Sequence, residues 1–192
     1  HLACTCLKPM LANGHMITVD LMPAHIERSK HMTKECSAYT SYVAKSSVDF
    51  FLEFDTDRLG QIYLLYLDTG DMTPVEVTAE LHLDEARVVV ERKLVKPGGL
   101  ILIDDVRNLT PKQFGELEGD TYGKAKYSID YLLQHGFSMV KSEYQVILRN
   151  TGDSVVANFF ATPLTWTNKF KVFHISFHLG CINEIKYVAN SL

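Results

Sequence analysis

Apolar residues fall along this chain in two alternating rhythms. Short runs in which nearly every position is apolar or β-branched are followed by stretches in which apolar residues recur every third or fourth position. His15–Asp20 (HMITVD), Ala38–Ala44 (AYTSYVA), Ile62–Asp68 (IYLLYLD) and Gly98–Asp105 (GGLILIDD) are of the first kind and read as strands. IYLLYLD is apolar almost throughout, as a strand covered on both faces should be. The second kind predicts helices over Pro23–Cys36, Ser47–Phe54, Thr78–Leu94 and Lys124–Gly136. Pro23 suits a first helical turn, Ser46 or Ser47 a cap, and Gly136 a stop.

Strand alternating with helix argues for crossover units, hence an α/β, doubly wound, mainly parallel sheet. Phe137–Glu143 and Tyr144–Asn150 are too close in sequence for a crossover helix and are expected to pair antiparallel. Beyond Asn150 the character changes, with aromatic residues scattered through the segment. There Lys171–Leu179 (KVFHISFHL) places Phe173, Ile175, Phe177 and Leu179 on one face and predicts one further strand. The expected organisation is an α/β domain over residues 1–150 and a C-terminal extension over 151–192.

Bulk composition narrows the partners. The chain has 192 residues, 46% hydrophobic and 22% charged, enough for one sizeable core and far from the signature of disorder. A net charge of −4 without a basic stripe argues against nucleic acid. No apolar run is long enough for a membrane helix and the opening residues lack a secretory pattern, which fits a soluble cytoplasmic protein without a membrane partner. The four cysteines (Cys4, Cys6, Cys36, Cys181) show neither a disulfide framework nor zinc spacing and read as buried thiols.

Carboxylates close three of the strands: Asp20, Asp68, and the adjacent Asp104 and Asp105. Ligands of open doubly wound sheets bind outside the carboxyl ends of the strands, so these acids are expected along one edge. A lone Asp after a strand is commonly a cap or turn former. Four at three strand ends repel one another unless a cation or hydroxyl-rich ligand offsets them. Asp20 has the position of an acid that accepts hydrogen bonds from the ribose hydroxyls of a bound nucleoside. A dinucleotide site also needs G-x-G-x-x-G after the first strand, and the chain contains none.

In order, HMITVD, YVAKSSVDFFLEF, IYLLYLDTGDMTP, LVKPGGLILIDDV and GFSMVKSEYQVIL resemble the second to seventh strands of class I S-adenosylmethionine-dependent methyltransferases. Within that superfamily the chain is most similar to small-molecule O-methyltransferases related to the catechol and caffeoyl-CoA enzymes, over about the first 150 residues, with KPGGLILIDD the most specific piece. The resemblance implies a Rossmann-like methyltransferase fold, S-adenosyl-L-methionine as cofactor and a small-molecule acceptor methylated on oxygen. It implies that Asp20 binds the cofactor's ribose, that Ser46 and Ser47 lie beside the adenine, and that Asp68 with Thr69 borders the methionine end. Cation-dependent members hold Mg2+ at positions matching Asp68, Asp104 and Asp105, with Asp here in place of the usual Asn. Without a metal, Asp68 or Asp104 is the candidate catalytic base. Lys124 and Lys126 read as solvated lysines at a helix start, against the alternative of a substrate contact, and His174 and His178 as structural or exposed.

The pattern lacks the family's first strand and glycine-rich loop, and the sequence opens on His1 rather than methionine. Either the polypeptide is longer, or the central slot of the sheet is filled from elsewhere. KVFHISFHL is a candidate filler, against the reading of it as an ordinary surface extension. Three functions stay open at this point: methyl transfer to a small molecule, a catalytically silent methyltransferase-like domain that binds a partner or nucleoside, and an NAD-dependent oxidoreductase.

Overall fold

The computed structural model describes residues 14–70, 75–104, 106, 123–143, 145–152 and 171–175. Along the chain run β1 (His15–Asp20), α1 (Pro23–Met32), a 3-10 helix (Lys34–Tyr39), β2 (Thr40–Ala44), α2 (Ser47–Glu53), a short α3 (Thr56–Leu59) and β3 (Ile62–Leu67). Then follow α4 (Val75–Glu91), β4 (Val95–Ile103), a 3-10 turn (Gly123–Ala125), α5 (Lys126–Gln134), β5 (Phe137–Ser142), β6 (Val146–Asn150) and β7 (Lys171–Ile175). The strands form one sheet in the order β2-β1-β7-β3-β4-β6-β5. Neighbours from β2 to β4 are parallel, whereas β6 runs antiparallel to both β4 and β5.

This is a doubly wound, Rossmann-like α/β sheet. Among the described residues the strand latest in the chain, β7, takes the middle slot of the five parallel strands. Val172 pairs with Met16 on one side and with Leu64 on the other, and Ile175 with Val19 and Leu67. The backbone of β1 and β3 is thereby paired on its inner edge, as buried N–H and C=O groups require. Residues 171–175, beyond Asn150, thus contribute a strand to the same sheet.

Alternate residues of the strands build the two faces. Ile17, Val19, Leu65, Leu67, Ile101, Ile103 and Leu148 pack with Phe51, Ala86, Val89, Ile129 and Leu132, so α2, α4 and α5 cover one face. Tyr66, Leu100, Leu102 and Ile147 form a smaller cluster on the other. Thr18 is in register with Tyr42, and Thr33 at the end of α1 meets the Tyr42 hydroxyl at 2.5 Å, which places α1 on that second face.

Several boundaries differ from expectation, each for a local reason. The Pro23 helix ends at Met32 rather than Cys36, because the Thr33 hydroxyl donates to the Ser29 carbonyl (2.7 Å) and the chain tightens into the 3-10 helix. Sequence reading did not predict α3, which Asp55 caps by accepting from the Asp57 and Arg58 amides (3.1 and 2.9 Å). The helix expected over Thr78–Leu94 spans Val75–Glu91, ending before Lys93 turns left-handed at φ 50°. β4 starts at Val95 instead of Gly98, its Pro97-Gly98 step absorbed by a register shift against β3. Cys36 is buried but disulfide-bonded, and so is not the free thiol expected. Among the described residues no helix is long and apolar enough to cross a membrane.

Candidate functional site

The direction of winding reverses between β1 and β3. From β1 the chain moves outward to β2, from β3 it moves the other way to β4, and β7 sits between them. Such a switch point leaves a crevice at the carboxyl ends of the strands. Asp20 ends β1 on one side of β7, and Asp68 follows β3 on the other.

Asp20 is set by its own turn. One oxygen, Oδ1, accepts from the Met22 amide at 2.7 Å, and Oδ2 lies 3.1 Å from His25 Nδ1. The carboxylate side chain is 8% exposed while the imidazole is 56% exposed. An exposed imidazole is displaceable, so Asp20 fits the acceptor that a ribose diol needs. Leu21 and Met22 directly after it are large, apolar and exposed, offering a surface on which a base can lie.

Ser46 and Ser47 face different ways. Ser46 caps α2, accepting from the Asp49 amide (3.1 Å) and donating to the Asp49 carboxylate (2.7 Å). Ser47 is buried and donates inward to Glu85. Thr69 Oγ1 lies 3.2 and 3.3 Å from the two Glu85 oxygens and 3.3 Å from His82 Nε2. His82 Nδ1 is 3.2 Å from Glu85 Oε2 but lacks the alignment of a hydrogen bond. Both α4 side chains are fully buried. One carboxylate thus ties the loop after β2 to the loop after β3, beneath the strand ends of β1 and β7 that lie between them. The β3 loop turns at Gly70 (φ 86°), where any Cβ would collide with the Thr78 side chain.

Beyond β3 the acids are already engaged. Asp68 Oδ1 pairs with Lys124 Nζ at 3.1 Å, with side chains 4% and 8% exposed. Lys124 is therefore a buried rim residue and not the solvated lysine expected from sequence. Lys126 pairs with Glu76 at 2.7 Å. Asp104 accepts from the Tyr66 hydroxyl through Oδ2 and from Gln145 Nε2 through Oδ1 at 2.7 Å. Asp105 lies outside the described residues, as does His178. Among the described residues no group of three or more His, Cys, Asp or Glu is placed to hold a metal ion. Lys124 already engages Asp68 Oδ1, and protein donors hold both oxygens of Asp104, so these two acids do not present the oxygen ligands of the magnesium site that the resemblance implies.

Sequence reading missed Glu85, His82, Tyr66 and Gln145. The signal for the first two was present, since Thr78, His82, Glu85 and Val89 share one helical stripe and all are buried.

No model of a known family matches the chain, and no curated protein matches it. Among solved structures it is similar to a provisionally named rRNA methylase from Clostridium thermocellum, at 11% identity and a TM-score of 0.46 over 77% of this chain and 94% of that one. It is also similar to the cofactor-bound Rv0187 protein from MTB, at 11% identity and a TM-score of 0.45 over 78% of each chain. At this identity and overlap neither carries weight for function.

Proposed function

We propose that the chain binds S-adenosylmethionine across the switch point and transfers its methyl group to an oxygen of a small-molecule acceptor. The observation that supports this reading is the pair of acids flanking β7, Asp20 at the end of β1 and Asp68 just after β3, at the carboxyl ends of the strands where a nucleoside ligand of such a sheet would bind. When bound, the cofactor supplies a methyl group on a sulfonium sulfur. Asp20 then exchanges His25 for the ribose hydroxyls, and Leu21 and Met22 give the adenine an apolar floor. Glu85 keeps the Ser47 and Thr69 loops at fixed separation, so that acceptor and cofactor meet in line. Most of the acceleration in such a displacement comes from that alignment.

Calorimetric titration of the full chain with S-adenosylhomocysteine tests the reading. Micromolar binding is expected, weakened at least tenfold by Asp20→Ala, about 1.4 kcal/mol. A folded chain that shows no heat of binding is a catalytically silent domain instead. Binding of NAD in its place would assign the chain to oxidoreductases.

A further inference from the structure

His82 and Glu85 stand one turn apart on α4, both without exposure, and His82 Nδ1 has no hydrogen-bond partner although Glu85 Oε2 is 3.2 Å away. A buried polar nitrogen needs a partner, and that carboxylate is the one in reach. We infer that His82 is a proton-operated switch: its charge state sets which way the Thr69 hydroxyl points, and through it how firmly the loops after β2 and β3 are held to α4.

Thr69 Oγ1 is nearly equidistant from three groups, 3.3 Å from His82 Nε2 and 3.2 and 3.3 Å from the two Glu85 oxygens. Turning the hydroxyl about one bond carries its hydrogen from one acceptor to another. A neutral imidazole with its hydrogen on Nδ1 aims it at Glu85 and offers Nε2 as an acceptor, so Thr69 donates to His82. The pair then holds a net negative charge in a dry site, which is unfavourable. An imidazolium has hydrogens on both nitrogens. Nδ1 still faces Glu85, Nε2 donates to Thr69, and the Thr69 hydrogen turns to Glu85. That carboxylate then accepts from His82, Thr69 and Ser47 together, every polar hydrogen is placed, and the pair is neutral. Closing the latch thus takes up one proton, so the two loops tighten as pH falls and loosen as it rises. Among the described residues, no charged group of the elements packed against α4 makes a hydrogen bond or ion pair with His82 or Glu85. On α2, Asp49 and Glu53 are exposed and bonded to Ser46 and Lys45. At the strand ends, Asp68 is held by Lys124 of the 3-10 turn, and Asp104 by Tyr66 and Gln145. On α5, Lys126 pairs with Glu76 and Asp130 is exposed. Past the far end of α4, Arg92 donates to the Phe51 carbonyl.

The test follows the ring nitrogens of His82 by nitrogen-15 NMR in the full chain across about pH 5 to 8, where histidines ordinarily change charge. Both nitrogens are expected to be protonated at the acid end, and Nε2, not Nδ1, to lose its hydrogen as pH rises. Hydrogen exchange of residues 46–48 and 68–70, expressed as protection so that the intrinsic pH dependence drops out, should change at the same midpoint. Protection there is expected to be at least about tenfold greater at the acid end, since a closing step coupled to one proton changes by up to about tenfold per pH unit. His82→Gln should remove the pH dependence. Thr69→Val keeps the volume and loses only the hydroxyl, so it is expected to fold, to leave His82 titrating, and to uncouple the loop after β3 from it.

The inference is overturned if the His82 ring keeps one charge state across that range, if Nδ1 is the nitrogen that loses its hydrogen, if loop protection ignores the His82 midpoint, or if the coupling survives in Thr69→Val. Should His82→Gln fail to fold, the ring signals and Thr69→Val decide the matter by themselves. Because no ligand is added, the outcome is separate from that of the S-adenosylhomocysteine titration.

Discussion

A carboxylate with no exposure has to be satisfied where it stands, and Glu85 finds two hydroxyls and an imidazole within reach. Removing it leaves three polar groups facing a cavity. Glu85→Ala is therefore expected to cost roughly 3 kcal/mol, the scale for breaking a buried charged network. Glu85→Gln keeps the shape and one acceptor oxygen, and should cost less than half as much. Urea unfolding at neutral pH measures both, and an alanine variant within about 0.5 kcal/mol of wild type would show that the network adds nothing. Because the same carboxylate spaces the Ser47 and Thr69 loops, the glutamine variant should also weaken S-adenosylhomocysteine binding while it stays folded.

Between elements, the start of α4 is tied to the start of α5 by Glu76 and Lys126, 2.7 Å apart. The hydrogen bond from Lys126 holds the Glu76 carboxyl below its usual range, and Glu76 in turn raises Lys126. The signs follow from linkage. A depressed acid adds stability above its unfolded value, near 4.3, and loses it as pH falls through the lower folded value. A raised lysine adds stability below about 10.4 and loses it as pH climbs through the higher one. Wild type and Glu76→Gln should thus differ in melting temperature by a small, constant amount between about pH 5 and 9, and converge at more acid pH. A gap that persists at pH 2 would mean that the two side chains matter through packing. Elements of this kind were unevenly legible in the sequence. β3 and β4 announce themselves because they are buried on both faces, and the strand-end acids follow from them. α3 rests on one Asp cap and four residues, and the end of α1 on a single threonine hydroxyl, so neither leaves a periodic trace. Lys124 was misread because burial of a lysine depends on a partner 56 residues away, which no local pattern encodes.

The whole molecule turns on where β7 lies. A strand formed by residues 171–175 occupies the middle of the five parallel strands, so β1 and β3 are joined into one sheet only once it lies between them. Such non-local pairing slows folding and makes the sheet one cooperative unit. Phe173 pairs with Ile17 on one side, the middle of that ladder, and with Leu65 on the other, an interior position of the second. Proline there removes the amide hydrogen and with it a ladder hydrogen bond on whichever side that hydrogen serves, which is why proline is confined to edge strands and bulges. At an edge or in a surface extension the same change would be nearly silent. Phe173→Pro is therefore expected to abolish or sharply lower the cooperative thermal transition followed by circular dichroism, and to expose the amides of both β1 and β3 to hydrogen exchange together. A melt within a few degrees of wild type, or exchange confined to one of the two strands, would remove β7 from the centre. It would also take away the crevice between Asp20 and Asp68, since that crevice exists only while a strand holds those two ends one slot apart.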